Sequence, residues 1–333
     1  MNLQLAVGPA RAHGYHDVVT VYHAVSLFDE VTVSAAERDS VVITGEGADS
    51  VPADDTNLAA RAVAALLRAV GTGAKDSPGV AIRISKRIPV AAGLAGGSAD
   101  AAATLVACNE LWRTGLSQAE LCEVAAGIGS DVAFGLVGGT AIGVGRGERV
   151  TPALAAGTYH WVLAFATGGL STAQVYAACD RIRAARDKAA GSASQGQAAV
   201  GGQAARVKQA GRLAKAGRPA APPSPLALDN RLMAALRSGN PAEVGPLLTN
   251  DLQQAAISLR PDLRRTLAAG IEHGALAAIV SGSGPTCAYL ARDARHAAGL
   301  AVALAGAGVC RTVVHVVGPV PGASVTSIAT EPV

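Results

Sequence analysis

Four short stretches of this 333-residue chain hold residue types at spacings that suit chemistry. The densest is Pro89-Val90-Ala91-Ala92-Gly93-Leu94-Ala95-Gly96-Gly97-Ser98-Ala99, followed by Asp100 and an apolar run. Glycines ahead of a helix let the backbone approach a ligand, aim successive N–H groups into the turn and add the helix dipole, which suits a phosphate. The spacing matches neither the P-loop nor the dinucleotide fingerprint, so a tight strand-to-helix turn is an equal reading of the glycines alone. Ser281-Gly282-Ser283-Gly284-Pro285-Thr286 is a second cluster, able to close over a phosphate chain or simply to join two strands. Gly129-Ser130-Asp131 places an acid before the apolar Val132-Ala133-Phe134, as a helix N-cap or as an active-site carboxylate. Gly14-Tyr15-His16-Asp17 sets an aromatic face beside an imidazole, unless it is only a surface turn.

These groups act only if regular elements hold them. Leu3, Leu5 and Val7 alternate ahead of Gly8-Pro9, so a strand is expected over residues 2–7. A β-rich region follows over 18–33, then Val41-Val42-Ile43. Asp55-Thr56-Asn57 offers N-caps for an Ala/Leu-rich helix over about 58–70. Residues 80–84 alternate as a strand that feeds past Lys86-Arg87 into Pro89, and the helix after the glycines is expected to start at Ser98 as N-cap and run to about Trp112. A helix over 118–126 and a strand over 141–144 complete a first domain, 1–152. The second, 153–333, is expected to hold strands at 161–164, 277–280, 287–290 and 313–317, with helices from 171, over 230–238, 241–247, 261–273 and 294–305. That order gives an α+β domain.

Charge separates the working body from the rest. The chain carries 28 Lys+Arg and 25 Asp+Glu, but residues 181–220 hold nine of the basic residues and one acid, Asp187. The remaining 19 basic and 24 acidic residues make the body acidic, and no nucleic-acid module is visible. Residues 189–225 are mostly Ala, Gly, Gln, Ser and Pro with spaced basic residues and no aromatic, too little to bury against an ordering cost of about 1–2 kcal/mol per residue. A solvated insertion is expected there, with a basic tether or partner-binding helix as the other reading. Aromatics are 3%, so the core must come from Ala, Val, Leu and Ile. Five scattered cysteines, 108, 122, 179, 287 and 310, with no C-x-x-C pair support neither zinc nor a disulfide framework. No long apolar run or signal-like start is present, which predicts a soluble, cytoplasmic protein.

Taken together and in this order, the four stretches resemble the GHMP kinases. Residues 89–102 are similar to that superfamily's phosphate motif and Gly282 to Gly284 to its C-terminal glycine motif. Gly14-Tyr15-His16 and Gly129-Ser130-Asp131-Val132 resemble one branch, whose substrate is a cytidine diphosphate-linked methylerythritol of the non-mevalonate isoprenoid pathway. The resemblance implies an α+β, two-domain GHMP kinase fold, with an N-terminal domain like the second domain of a small-subunit ribosomal protein and a ferredoxin-like C-terminal domain. It implies phosphorylation of the substrate's 2-hydroxyl by ATP with Mg²⁺, in a monomer or weak homodimer without nucleic-acid or membrane partners. Asp131 matches the catalytic aspartate. Pro89, Val90, Ala91, Ala92, Gly93, Leu94, Ala95, Gly96, Gly97, Ser98 and Ala99 match the ATP-phosphate loop, and Asn57 falls where the adenine pocket forms. Tyr15 and His16 match the cytidine site, Tyr176 its second aromatic, and Asn2, Thr172 and Gly284 further substrate positions. Ser98 is the expected protein contact for the metal, whose other ligands stay open.

The sequence departs from the family in two places. The family's first strand reads Pro-Ala-Lys-x-Asn-Leu with a catalytic lysine, whereas Met1 falls at x here. An upstream start or a shortened, impaired form would explain this, and the chain as written is expected to bind both nucleotides but turn over slowly. Ala95 replaces a usual glycine, which matters little if φ is negative there. The competing readings are another GHMP small-molecule kinase, of homoserine or mevalonate type, and a non-catalytic nucleotide-binding member.

Overall fold

The computed structural model describes residues 1–12, 14–71, 79–197 and 226–328. The first half runs β1 (Asn2–Ala10), β2 (His16–His23), β3 (Glu30–Ala36), β4 (Ser40–Gly45), α1 (Leu58–Ala69) and β5 (Gly79–Lys86). It continues through α2 (Gly96–Leu111), α3 (Gln118–Ala126), α4 (Val132–Val137), β6 (Thr140–Gly145) and β7 (Arg149–Pro152). The second half contains β8 (Tyr159–Phe165), α5 (Thr172–Gln197), α6 (Asn230–Ser238), α7 (Pro241–Val244), β9 (Thr249–Asn250) and α8 (Gln253–Leu259). It ends with α9 (Asp262–Glu272), β10 (Ala277–Val280), β11 (Cys287–Ala291), α10 (Ala294–Gly306) and β12 (Thr312–Gly318).

Small side chains build the first core. Ala59, Ala62 and Leu66 of α1 pack with Ala101, Leu105 and Cys108 of α2 over Val80, Ile82 and Ile84 of β5. Alanine faces let helices approach closely, which substitutes for bulky aromatic packing. Asn57 caps α1, its Oδ1 accepting from Ala59 N at 2.8 Å, and Ser117 with Glu120 forms a capping box on α3.

A five-stranded sheet of order β7-β6-β2-β1-β9 joins the two halves. Its edge β9 comes from the second half of the chain and pairs in parallel with β1 through Gln4↔Thr249 and Leu5↔Asn250. Leu5 and Val7 therefore enter the core of Val162, Cys287 and Tyr289, while Leu3 packs with Trp161 and Leu163. The second sheet, β10-β11-β8-β12, is antiparallel throughout. Its inner strand β8 gives Val162 and Ala164 to one core and Tyr159, Trp161 and Leu163 to another, so both faces are covered.

α5 continues to Gln197, so the first residues of the expected insertion, 189–197, extend a helix. Residues 198–225, where the solvated segment was expected, lie outside the described residues. Among the described residues no helix is long and apolar enough to cross a membrane.

Candidate active site

The phosphate loop leaves β5 at Lys86 and enters α2 at Gly96. The N-cap is Ala95, not Ser98, and it makes no side-chain capping bond. Ala99 N donates to Ala95 O at 2.9 Å, which leaves the N–H groups of Gly96, Gly97 and Ser98 outside the helical ladder. Had Ser98 capped the helix, its hydroxyl would have occupied a donor that a phosphate needs. Ala95 has φ +56°, so the condition under which its replacement of glycine would matter little is not met. A left-handed alanine costs about 1–2 kcal/mol, so Ala95→Gly is expected to stabilise the chain by about 1 kcal/mol, read as a raised urea midpoint at unchanged slope.

Close backbone packing fixes the loop. A Cβ on Gly93 (φ +73°) would stand 2.3 Å from Ser281 O and 2.8 Å from Gly284 N, so only glycine admits the second glycine cluster. Ser281 Oγ donates to Gly93 O (2.9 Å), and Thr286 N donates to Ala92 O (3.3 Å). Asn250 Nδ2 donates to both Val280 O (2.8 Å) and Gly282 O (2.7 Å), tying the 281–286 turn to β9. Thr172 Oγ1 lies 3.0 Å from Ser283 Oγ, and Asn2 Oδ1 approaches Gly282. A cleft of about 420 Å³ runs along the outer wall of the loop, bordered by Glu46, Gly47, Pro89, Val90, Gly169 and Thr286.

Beneath the loop lies a buried ionic cluster. Lys86 Nζ bonds Asp100 Oδ2 of α2 (2.7 Å) and Asp29 Oδ2, with all three side chains nearly inaccessible. Asp29 Oδ1 also accepts from Ile88 N (2.8 Å) and Arg87 N (2.5 Å), the first two amides of the loop. Burial raises the Asp100 carboxyl above the usual aspartate value, and the Lys86 ammonium pulls it back. The strand end, the loop start and the helix are thereby held by one charge set.

Asp131 stands at the N-cap of α4 but makes no capping bond with its side chain. Its Oδ1 accepts from Tyr22 Oη at 2.7 Å, and the Tyr22 ring stacks on Phe134 with centroids 4.6 Å apart. Burial, then the charge of Asp131, pushes the Tyr22 hydroxyl well above its ordinary value, so it remains a donor. One turn on, Gly135 packs against Ala102, where a Cβ would stand 2.7 Å from the alanine Cβ, and near Ser98 O. α4 therefore packs on the first turns of α2, with Asp131 at the N-terminal end of α4. Asn2 is the cross-strand partner of Tyr22, and its Nδ2 donates to Thr20 Oγ1 at 2.7 Å.

Tyr15 and His16 border a second cleft, of about 300 Å³, together with Arg11, Asp17, Arg146, Glu148 and Arg149, and Tyr176 lies behind His16. Tyr15 is 56% exposed, with the Arg146 guanidinium 5.4 Å from its ring centroid. The rings of His16 and Tyr176 stand 4.8 Å apart, and His16 Nε2 bonds Asp180 at 3.0 and 3.1 Å.

Most sequence-predicted residues thus fall at the loop, at Asp131 or at this cleft. Asn57 is spent on helix capping, with Nδ2 donating to Pro52 O (2.7 Å), although its neighbour Leu58 touches Gly97. Sequence reasoning missed Tyr22, Asp29, Lys86, Asp180 and Asn250. Only Lys86 carried a signal, a charge at the end of an alternating strand beside the loop.

A helix start left open at its N–H groups, pinned by a glycine turn, is the kind of anion site a small-molecule phosphotransferase uses. The model of the GHMP kinases N-terminal domain matches residues 57–141, and that of the GHMP kinases C-terminal domain matches residues 232–310. A 4-diphosphocytidyl-2-C-methyl-D-erythritol kinase of Mycolicibacterium gilvum is 50% identical over 98% of this chain and 90% of its own length. One of Nocardia farcinica is 50% identical over 98% and 93%. A crystal structure of 4-(cytidine 5'-diphospho)-2C-methyl-D-erythritol kinase superposes with a TM-score of 0.66 at 28% identity, covering 95% of this chain and 96% of that one. The chain belongs to the GHMP kinases and, within them, to the 4-diphosphocytidyl-2-C-methyl-D-erythritol kinase family.

Proposed function

We propose that this chain transfers the γ-phosphate of ATP to the 2-hydroxyl of 4-diphosphocytidyl-2-C-methyl-D-erythritol, a step of isoprenoid precursor biosynthesis. The observation that supports the reading is Asp131: its side chain makes no capping bond, is held by Tyr22, and stands on α4, the helix whose Gly135 packs on the first turns of α2. Phosphoryl transfer through a loose transition state asks chiefly for alignment and charge stabilisation. The N–H groups of Gly96, Gly97 and Ser98 receive the phosphates, backed by the dipole of a 16-residue helix. Tyr22 occupies Oδ1 of Asp131, which leaves Oδ2 to accept or orient the proton of the attacking hydroxyl. Tyr15, His16 and Tyr176 take the cytosine, whose stacking contributes about 1–3 kcal/mol.

Mg²⁺ fits this donor set. No group of three metal-ligating side chains exists among the described residues, and Mg²⁺ is commonly held by substrate phosphates, waters and one or two oxygen ligands. Ser98 Oγ in the first turn of α2 would be such a ligand, and the ion would neutralise charge on the transferring phosphoryl group.

The homoserine and mevalonate readings leave the aromatic cleft without a purpose. Incubation with ATP, Mg²⁺ and the cytidine substrate is expected to release one ADP per phosphomonoester formed, followed by coupled assay and ³¹P NMR. Turnover of homoserine or mevalonate would overturn the assignment. Binding of both nucleotides without any ADP would instead indicate a non-catalytic member.

A further inference from the structure

A neutral imidazole carries one proton, and the partner of one ring nitrogen decides what the other can read. Both carboxylate oxygens of Asp180 face His16 Nε2, at 3.0 and 3.1 Å. A carboxylate only accepts, so Nε2 must be the donor and the lone pair of the neutral ring lies on Nδ1. We infer that Asp180 is a positioning residue which, by fixing this tautomer, makes the base cleft select an amino-pyrimidine over a keto-pyrimidine. The inference rests on the cytidine reading of the cleft given above and adds how the base is told apart from uracil.

The chemistry follows from the two base edges. Cytosine presents an amino donor at C4, whereas uracil presents a carbonyl acceptor at the same place. An acceptor Nδ1 pairs with the first and faces the second lone pair to lone pair. His16 is 9% exposed, so water does little to relieve that mismatch. A site built to satisfy one hydrogen-bonding pattern rejects the opposite one more strongly than a site that merely excludes bulk.

The support behind Asp180 is rigid. Tyr176, Asp180 and Arg183 follow one another at helical spacing on α5, so Tyr176 meets the His16 ring while Asp180 meets its edge. Arg183 donates to Val7 O (2.7 Å) and Gly8 O (2.9 Å) of β1 and to Asp251 Oδ2 (3.1 Å). Asp251 Oδ2 in turn accepts from Val7 N (2.9 Å). The helix bearing Asp180 is thus locked to the hairpin bearing His16, and the Arg183 guanidinium, one turn further along α5, is committed to another carboxylate.

Two measurements test this at pH 8, above the ordinary imidazole range. Long-range ¹H–¹⁵N spectra of the histidine-labelled chain, with His16→Gln for assignment, are expected to show the Nε2–H form in wild type and in Asp180→Asn, whose amide oxygen still accepts. Asp180→Ala is expected to admit the Nδ1–H form. In kinetics, the cytidine substrate is expected to exceed its uridine analogue in kcat/KM by on the order of 100-fold in wild type. Asp180→Ala lowers that ratio by about tenfold, with the loss falling on KM of the cytidine substrate, and Asp180→Asn restores most of it. A wild-type Nδ1–H form, or an Asp180→Ala ratio equal to wild type, overturns the inference. If no pyrimidine substrate is turned over, the assigned reaction fails instead, and the relative binding of CDP and UDP to the same variants still decides the role of Asp180.

Discussion

Asp131→Asn lowers kcat by about 10²–10⁴-fold, the range associated with a positioned general base, while ATP affinity changes little. The asparagine keeps the carbonyl oxygen that accepts from Tyr22 Oη, so the stack of Tyr22 on Phe134 and the start of α4 stay in place. On the proposed mechanism what is lost is the anionic oxygen that takes or orients the hydroxyl proton, whereas ATP is assigned to the N–H groups of Gly96, Gly97 and Ser98 at the start of α2. Single-turnover ADP release with the cytidine substrate, beside an ATP titration by calorimetry, separates the two effects. Near-full activity would remove Asp131 from the mechanism, and a parallel loss of ATP affinity would show that the substitution had disturbed α2 through Gly135.

The second large effect is expected at Lys86. Lys86→Met keeps the length of the side chain but leaves Asp29 and Asp100 buried together without their cation. Removing one partner of a buried ionic set costs about 3–5 kcal/mol, because the remaining charge is neither hydrated nor paired. The cost is expected at the upper end, since Asp100 Oδ1 is already buried without a partner and cannot shift its burden. Asp29 also holds the amides of Arg87 and Ile88, so ATP binding weakens along with stability. Urea unfolding measures the first and calorimetry the second. Adding Asp29→Asn and Asp100→Asn removes the orphaned charges and is expected to recover part of the loss, which a mutant cycle reads directly. A loss under about 1 kcal/mol for Lys86→Met would mean that the cluster is not the support of the loop.

How much of this was legible follows from the range of each interaction. α6 and β10 occupy the spans that local pattern predicted, 230–238 and 277–280, because apolar spacing and capping residues are local properties. β9 was not visible: two residues have no period, and Thr249–Asn250 becomes a strand only because β1 is there to pair with. α4 was legible only as one of two readings of Asp131, a helix N-cap, because six residues are too few to show a helical period. At the loop, the glycines were readable but the cap was not. Ser98 is the better capping residue type, yet Ala95 takes the position because Gly93 must press against residues 281–284, which places the helix start three residues earlier.

The sequence alone determined the parts that depend on residue type along the chain: the glycine-rich turn at residues 93–98, the acid at 131, the aromatic and imidazole at 15 and 16, and a basic excess confined to residues 181–220. Backbone N–H groups and side-chain chemistry come with the residues, so their presence needed no fold. The tertiary structure decided which of them share a site and in what state. Tyr22 reaches Asp131 across 109 positions, Asp180 reaches His16 across 164, and Ser281 reaches Gly93 across 188. Contacts of that separation leave no periodic trace, because each is fixed by sheet register and helix packing. They determine that Asp131 is held by Tyr22 rather than by a capping bond, that His16 Nε2 faces the Asp180 carboxylate, and that the glycine loop is pinned to the 281–286 turn.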